Sequence, residues 1–146
     1  MDLDTLLNKN QKEAATYLDS HLRIIAGAGS GKTRVVTYRI AHLIQDIGID
    51  PRSILAITFT NKAANEMKER VNEIVGIHGS GTLICTIHSL CVRLLRQHIN
   101  VLNYPSNFTI MDEEDQKALI KKLYTQLEID AKVISIKSMI NSNILY

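Results

Sequence analysis

Cysteine is scarce in this sequence of 146 residues, which has only Cys85 and Cys91 and no C-x-x-C pair. A disulfide-stapled fold or a cysteine-ligated metal centre is therefore not expected, and both thiols are predicted to be reduced and buried. Long apolar runs are missing too, since none approaches the roughly 18 residues of a membrane-spanning helix. We therefore expect a soluble, cytoplasmic protein with no membrane partner.

Charge of one sign is also in short supply. The formal net charge is only +2 at pH 7, so overall charge alone does not indicate a nucleic-acid partner. Acidic residues are nevertheless absent from two windows, 20–45 and 74–111, where arginine, lysine and histidine remain. These windows favour a surface that faces a polyanion, although a core-forming composition would leave similar gaps.

Glycine is concentrated in segment 26–33, which reads Ala-Gly-Ala-Gly-Ser-Gly-Lys-Thr. An apolar run at 22–25 precedes it and a helical pattern over 34–45 follows, so we predict a strand, a tight turn and a helix start. This order is typical of a loop that binds nucleotide phosphates through backbone N–H groups at a helix N-terminus. Three glycines are expected to supply positive φ angles: Gly27, Gly29 and Gly31.

Lys32 and Thr33 give this loop its chemistry, and we predict both as catalytic residues. The Lys32 ammonium suits the β- and γ-phosphates of ATP, and the Thr33 hydroxyl suits the Mg²⁺ that bridges them, which makes Thr33 the predicted metal ligand. The general motif has glycine where this chain has Ala26, and the alternative is a glycine-rich turn that binds nothing. The predicted nucleotide contacts within the loop are Ala26, Gly27, Ala28, Gly29, Ser30, Gly31, Lys32 and Thr33.

The apolar periodicity predicts an α/β fold. Predicted strands alternate with predicted helices along the first two thirds of the chain. The strands are placed at 22–25, 54–58 and 82–86, and the helices at 9–19, 34–45, 61–75 and 89–100. This alternation implies a parallel sheet with both faces covered by helices, and loops that converge at the carboxyl ends of its strands.

The pattern changes after residue 107. Asp112 to Asp115 provide an N-cap and an acidic first turn for a further helix, and another helix is expected to start near Ser135. We therefore predict a nucleotide-binding domain over 1–107 and the beginning of a second, helical region, cut short, over 108–146.

Four segments, in order, resemble the motifs of superfamily-1 DNA helicases of the UvrD/Rep/PcrA type. They are residues 7–11, 26–34, 58–67 and 86–93. The last segment has Ile87 where the family usually has phenylalanine. The resemblance implies a RecA-like P-loop NTPase domain followed by the start of a helical subdomain, with ATP and Mg²⁺ as cofactors and single-stranded DNA and duplex junctions as partners.

The resemblance also assigns roles to individual residues. It adds Gln11 as a contact to the adenine edge and Arg34 as a nucleotide contact, although Gln11 fits a helix capping box equally well. Phe59 could stack on a base or lie in the core, Asn61 is also expected to cap its helix, and His88 could be purely structural. The implied DNA contacts are Thr58, Phe59, Thr60, Asn61, Lys62, Thr86 and His88.

The function implied by the resemblance is an ATP-dependent DNA helicase or translocase that moves 3′→5′ and acts in DNA repair or replication. The acidic cluster 112–115 precedes a helix rather than ending a strand, so we do not interpret it as the acidic motif that hydrolysis needs. We expect ATP hydrolysis from a longer parent and little activity from this chain alone. The alternatives are a non-catalytic P-loop nucleotide-binding module and a small P-loop kinase, for which no basic lid or acceptor site is recognisable.

Overall fold

A computed structural model describes residues 1–129 and 135–142 of the chain. The chain divides into two compact units, Met1–Leu95 and Arg96–Tyr146. The elements, in chain order, are α1 (Leu3–Leu6), α2 (Lys9–Thr16), α3 (Lys32–Gln45), β1 (Leu55–Thr58), α4 (Asn61–Val75), β2 (Leu83–Thr86), α5 (Ile87–His98), α6 (Glu113–Gln126) and α7 (Ile136–Ser142). Short 3₁₀ turns lie at Pro51–Ser53, Gly76–Gly79 and Ile99–Leu102.

Strands β1 and β2 pair in parallel, and helix α4 connects them. Their register runs from Leu55 opposite Leu83 to Thr58 opposite Thr86, so both strands end at the same level. Parallel strands need a crossover connection, and α4 provides it. The expected α/β class with a parallel sheet is therefore confirmed for β1, α4 and β2.

One face of this two-stranded sheet carries the core of the first unit. Ala56 and Ile84 point to that face and pack against apolar residues of α3 and α4. The helix residues in this cluster are Ile40, Ala41, Ala64, Met67, Val71 and Val75. The spacing of apolar residues in α4 predicts Ala64, Met67, Val71 and Ile74 on the inward face. The first three are buried, while Val75 is buried in addition and Ile74 only partly.

The other face of the sheet is open among the described residues, which contradicts the expectation of strands covered on both faces. The side chains of Leu55 and Ile57 are 50% and 48% exposed. Side chains alternate between the two faces of a strand, so helices that pack on Ala56 and Ile84 cannot also cover these two. An all-apolar strand sequence predicted coverage on both faces, but only one face has a partner.

The strand predicted at 22–25 is not formed. This segment has irregular backbone, and Ile25 is 86% exposed. A β-strand requires a hydrogen-bonded neighbour, and within the part of the chain that the structure describes the sheet consists of β1 and β2 alone. The apolar character of 22–25 was read correctly, but the pairing partner that would make it a strand is a non-local property.

Helix α2 begins where the sequence predicts and ends earlier. Asn8 is its N-cap, and the reciprocal capping box with Gln11 is present. The helix ends at Thr16 rather than near residue 19, and Leu18, expected to point inward, is 47% exposed. The capping box therefore accounts for the orientation of Gln11, whatever else this side chain does.

Thr60, not Asn61, is the N-cap of α4, so the predicted capping role of Asn61 is wrong. The Thr60 hydroxyl accepts a hydrogen bond from the backbone N–H of Ala63 at 3.1 Å, and Asn61 is the first helical residue. Threonine and asparagine are both good caps, and only the path of the chain decides between neighbours.

We expect Thr60→Ala to lower the free energy of unfolding by about 1 kcal/mol, because the Ala63 N–H loses its partner. Asn61→Ala is the matched control and should be neutral or slightly stabilising, since alanine is the better residue inside a helix. Urea unfolding followed by circular dichroism measures both. The opposite ranking of the two variants would return the cap to Asn61.

Helix α5 starts at Ile87, directly after β2 and two residues earlier than predicted. None of its residues is buried, and Leu94 and Leu95, expected on an inward face, are 48% and 40% exposed. Amphipathic spacing predicted the helix correctly, but it does not specify what covers the apolar face.

In the second unit, Asp112 caps α6, as predicted, and it also forms a reciprocal capping box with Asp115. Arg96 donates hydrogen bonds to the carbonyl oxygens of Ser106 and Phe108 and stacks on the Phe108 ring at 4.7 Å. Arg96 therefore holds a turn of its own unit instead of contributing a free charge to a polyanion-facing surface. The remainder of the expected helical region, 130–134 and 143–146, lies outside the described residues.

The two cysteines are free, and Cys91 is exposed, so the prediction of two buried thiols is wrong for Cys91. Cys85, on β2, is partly buried. In the described ranges, no helix combines the length and the apolar character needed to cross a bilayer.

Candidate nucleotide-binding site

The glycine segment forms a tight loop that leads into the N-terminus of α3. Gly29 and Gly31 adopt the positive φ angles expected of them, 75° and 81°. Gly27 does not, and the expectation is wrong there. Its role in the loop is that of an acceptor, because its carbonyl oxygen receives hydrogen bonds from the Ser30 hydroxyl at 2.8 Å and from Lys32 Nζ at 2.6 Å.

Gly31 is also the N-cap of α3, and it has no side chain with which to cap the helix. The first N–H groups of a helix lack partners within the helix, and together with the helix dipole they favour an anion. A loop that approaches such an end with two left-handed glycines is the arrangement that holds phosphate in nucleotide-binding proteins. The local geometry therefore fits a phosphate group.

The Lys32 side chain extends back to the start of this loop. Its Nζ donates hydrogen bonds to the carbonyl oxygens of Ala26, at 2.9 Å, and Gly27, at 2.6 Å. These contacts keep the ammonium group beside the uncapped N-terminus of α3. A positive charge is thus placed next to the backbone groups that would bind a phosphate.

Gln11 connects α2 to the loop. Its Oε1 accepts from the backbone N–H of Asn8 at 3.1 Å, and its Nε2 donates to the carbonyl oxygen of Ser30 at 3.0 Å. The capping role and a role at the loop are therefore compatible, because the two ends of one amide serve them separately. A role in contacting adenine remains a prediction.

A cleft of about 260 Å³ lies between α2 and the loop. Its walls are mainly apolar, and polar groups stand at the loop end, which is the usual composition of a small-molecule site. Its lining residues are Asn8, Asn10, Gln11, Ala14, Ile24, Ile25, Ala26, Ser30, Lys32 and Val35. The apolar segment 22–25 thus supplies one wall of this cleft rather than a strand.

Sequence reasoning missed several of these lining residues, among them Asn8, Ala14 and Val35. Asn8 falls in the helicase-like segment 7–11, but no nucleotide contact is predicted for it, for Ala14 or for Val35. The one indication in the sequence that α2 contributes to this cleft was that the capping box lies near the glycine loop along the chain. It does not show that α2 packs on α3, which depends on the buried cluster of Leu3, Leu7, Ala15 and Val35.

Asp46, just beyond the end of α3, links the first residue of the chain to that helix. Its carboxylate contacts His42 Nδ1 at 2.7 Å and the amino group of Met1 at 3.0 Å. The hydrogen bond with His42, followed by that with Met1, holds the pKa of Asp46 below its usual value. The stabilisation from these contacts is thus complete above the usual aspartate pKa near 4 and is lost as the pH falls through the lowered value. Arg52 lowers the pKa of Asp50 in the same way by hydrogen bonding.

The side chains of Arg34 and Thr33 are placed differently from that of Lys32. The Arg34 guanidinium donates to the carbonyl oxygen of Leu6 at 2.8 Å and lies 5.6 Å from the centre of the Tyr38 ring. It thus faces a second cleft, which Arg70 and Glu73 also line, instead of the glycine loop. Thr33 is exposed in the first turn of α3. Across residues 1–129 and 135–142, no three acidic, histidine or cysteine side chains are grouped as metal ligands would be.

The first predicted DNA segment, 58–62, follows β1 directly. Phe59 is 100% exposed, so its alternative as a core residue is wrong. The Thr58 hydroxyl donates to the carbonyl oxygen of Thr60 at 3.0 Å, which closes the turn beneath the ring. Asn61 and Lys62 are exposed in the first turn of α4. This short turn therefore presents an aromatic ring and a cation to solvent together.

The second predicted DNA segment begins at Thr86, opposite Thr58 in the sheet. Thr86 is 5% exposed, and its hydroxyl pairs with the Ser89 hydroxyl at 2.9 Å, so this side chain is engaged at the start of α5. His88 is exposed one residue into that helix. The sheet thus brings the two segments side by side, and among the described residues no hydrogen bond joins either of them to the glycine loop.

Residues 7–144 match the family model described as the UvrD/REP helicase N-terminal domain. This chain belongs to the UvrD/REP helicase family. Among its similar relatives is an ATP-dependent DNA helicase PcrA of Staphylococcus aureus, strain Mu50, with 48% identity over 126 residues. A protein of the same name from Staphylococcus epidermidis shows the same identity over the same length.

Each of these alignments covers 86% of this chain and 17% of the relative. The chain therefore spans about one sixth of the length of the UvrD/REP helicases it matches.

Proposed function

We propose that this chain is the part of an ATP-dependent DNA helicase or translocase that binds the nucleotide phosphates and first contacts single-stranded DNA. The observation that carries the proposal is the loop 26–33, where two left-handed glycines and Lys32 meet the uncapped N-terminus of α3. The family, and the DNA helicase activity that gives the similar relatives their name, support the same function. The RecA-like P-loop fold, the 3′→5′ direction and a role in repair or replication are parts of this proposal.

The residues at the loop fit ATP. Backbone N–H groups at the start of α3 would hold phosphate oxygens, and Lys32 would exchange its bonds to two carbonyl oxygens for bonds to the β- and γ-phosphates. Thr33 would hold Mg²⁺, which in such sites neutralises phosphate charge and fixes the geometry of the triphosphate. The apolar walls of the neighbouring cleft suit a purine, and Gln11 is placed at its polar end.

We propose that this chain binds ATP and leaves hydrolysis to a longer protein. Hydrolysis needs a further acidic group that helps to hold the metal and positions water. The carboxylates of Asp112 and Asp115 bond to backbone N–H groups at the start of α6, so they serve as helix caps. We expect this chain to show no ATP hydrolysis, and a longer protein that also carries such an acidic group to hydrolyse ATP.

The proposed DNA contact is the turn after β1. An exposed aromatic ring can stack on any base, and Lys62 nearby can pair with a backbone phosphate without reading sequence. Phe59 has no packing role to explain its presence there, because its side chain is fully exposed. Such a contact grips single-stranded DNA of any sequence, which is what a translocase requires.

We expect Phe59→Ala to weaken binding of an oligothymidine strand by about 5- to 150-fold, the loss of one base–aromatic stack worth roughly 1–3 kcal/mol. Phe59→Tyr should restore most of the affinity. Fluorescence anisotropy with a labelled strand measures the effect, and thermal unfolding should show little change because the ring packs against nothing.

Tyr104→Ala is the matched control, since Tyr104 is another exposed aromatic residue, 63% accessible, in the second unit. It should bind the strand like the unmodified chain, and all three variants should keep their ATP affinity. Equal DNA affinity for Phe59→Ala and the unmodified chain would remove the DNA contact from this turn. If ATP binding by a longer protein did not respond to DNA, a nucleotide-binding module would be favoured over a helicase.

A further inference from the structure

Arg39, a residue to which the sequence patterns assign no role, joins α3 to the end of α2. Its guanidinium Nη1 donates to the carbonyl oxygens of Tyr17 at 2.5 Å, Ala14 at 3.2 Å and Ala15 at 3.5 Å. The contact is partly buried and links residues more than 20 positions apart. Arg39 therefore caps the C-terminal end of a helix to which it does not belong.

Helix α2 depends on such external support. It has eight residues, too few to be stable alone, and its last turn contains no basic residue. The final carbonyl groups of a helix lack partners within it, and a positive charge at that end also complements the helix dipole. The chain leaves α2 through Tyr17 in extended conformation, without the glycine that usually closes a helix. Arg39 supplies what the local sequence does not.

Three residues of α3 face α2 and the loop in succession. Lys32 touches the loop carbonyls, Val35 packs in the cluster that contains Ala15, and Arg39 closes the end of α2. They are three and four positions apart, which places them on one face of a helix. Gln11, at the other end of α2, bonds to the loop at Ser30. Helix α2 is thus anchored at both ends, by Gln11 to the loop and by Arg39 to α3.

We propose that Arg39 is a positioning residue for nucleotide recognition, which fixes the orientation of α2 so that Gln11 and the cleft wall at Ala14 meet the adenine ring. This inference rests on the proposed function, because it assumes that the cleft holds the base of ATP. The distance from Gln11 to Tyr17 along the helix is only about 9 Å at 1.5 Å per residue, so a tilt at one end displaces the other. Arg39 acts on the base and not on the phosphates, which the loop and Lys32 hold.

The test compares three ligands, ATP, GTP and inorganic tripolyphosphate, each with Mg²⁺, by calorimetry on the 146-residue chain. We expect Arg39→Ala to weaken ATP binding about fivefold to tenfold, the loss of one well-placed hydrogen-bonding group at the base. The affinity for tripolyphosphate should stay within twofold, so the preference for ATP over GTP should shrink. Arg39→Lys should be intermediate, because one ammonium group can serve only one or two of the three carbonyls.

A double-mutant cycle identifies the route of the effect. If Arg39 acts through Gln11, the pair Gln11→Ala and Arg39→Ala should lose no more ATP affinity than Gln11→Ala alone. Arg52→Ala is the matched control, since that arginine bonds locally to Asp50. It should leave the binding of all three ligands unchanged.

Three results would overturn the inference. In the first, Arg39→Ala keeps the full preference for ATP over GTP, and in the second it loses affinity for ATP and for tripolyphosphate equally. In the third, the losses of ATP affinity caused by Arg39→Ala and Gln11→Ala are additive. Circular dichroism reports whether each variant folds. If Arg39→Ala and Arg39→Lys both unfold, the role is structural and the positioning role is wrong. An unmodified chain that binds neither ATP nor tripolyphosphate overturns the proposed function itself, a result distinct from the other three.

Discussion

Lys32→Ala is expected to weaken Mg²⁺-ATP binding by about 30- to 150-fold, below detection if the unmodified chain binds weakly. The ammonium donates hydrogen bonds to two carbonyl oxygens of the glycine loop, and hydrogen bonds to charged groups contribute roughly 2–3 kcal/mol. Calorimetric titration with ATP measures the change directly.

The same substitution should have a small effect on folding, because Lys32 is exposed and its present partners are two loop carbonyls that water can also reach. Lys32→Arg separates charge from shape, since a planar guanidinium does not reproduce the compact ammonium in a narrow loop, and it should bind ATP poorly as well. Lys68→Ala, at an exposed position of α4, is the matched control. Equal ATP affinity in Lys32→Ala and the control would place the nucleotide elsewhere on the chain.

Local rules in the sequence predicted local structure well. The capping box at Asn8–Gln11 and the N-cap at Asp112 are both present as predicted, because a cap is decided within four residues. The inward face of α4 follows from its apolar spacing, and the left-handed glycines at 29 and 31 follow from the loop motif. These features depend on near neighbours, which the sequence displays directly.

Features that depend on distant partners could not be predicted in the same way. Residues 22–25 have the composition of a strand, but a strand exists only where a neighbouring strand pairs with it. Leu55 and Leu94 have the spacing of covered faces, and periodicity does not identify the covering element. The exposed face of β1, with Leu55 and Ile57, is more apolar in sequence than the packed face with Ala56 and Thr58, so residue type alone does not show which face is covered.

In the candidate site, too, features set by the local sequence were predicted, and contacts between distant residues were not. Segment 26–33 was identified from residue type and order, and segment 58–62 from the resemblance to the helicase family. Phe59 gained support once its exposure excluded a place in the core. The contacts of Arg34 with Leu6 and of Arg39 with Tyr17 were not predictable, because an arginine in a helix pattern does not indicate which carbonyl it meets. Long polar side chains thus carry much of the tertiary information that sequence motifs omit.

Gly31→Ala should be the most destabilising of the glycine substitutions in the loop. A φ of 81° is costly for any residue with a Cβ, by roughly 1–2 kcal/mol. The new Cβ would also lie 2.8 Å from Gln11 Nε2, so that side chain must move and give up its bond to Ser30. We expect a loss of about 1–3 kcal/mol in the free energy of unfolding and a loss of ATP binding of at least tenfold.

Two other glycines of the same loop separate these causes. Gly29→Ala carries the left-handed strain at a φ of 75°, but its Cβ meets nothing within 4 Å, so it should lose about 1–2 kcal/mol of stability and leave Gln11 in place. Gly27→Ala has neither penalty and should unfold like the unmodified chain. Urea denaturation of the three variants measures the stability order.

The position of the Gln11 side chain distinguishes strain from displacement. In Gly31→Ala the Gln11 side-chain amide resonances should shift from those of the unmodified chain, because Nε2 no longer donates to Ser30, whereas in Gly29→Ala they should stay. Gly31→Ala should cost less stability in a Gln11→Ala background than in the unmodified chain, since the clash with Nε2 is then absent and the substitution adds only the backbone strain. Equal stability of Gly31→Ala and Gly27→Ala would mean that the loop does not hold the left-handed conformation on which phosphate binding depends.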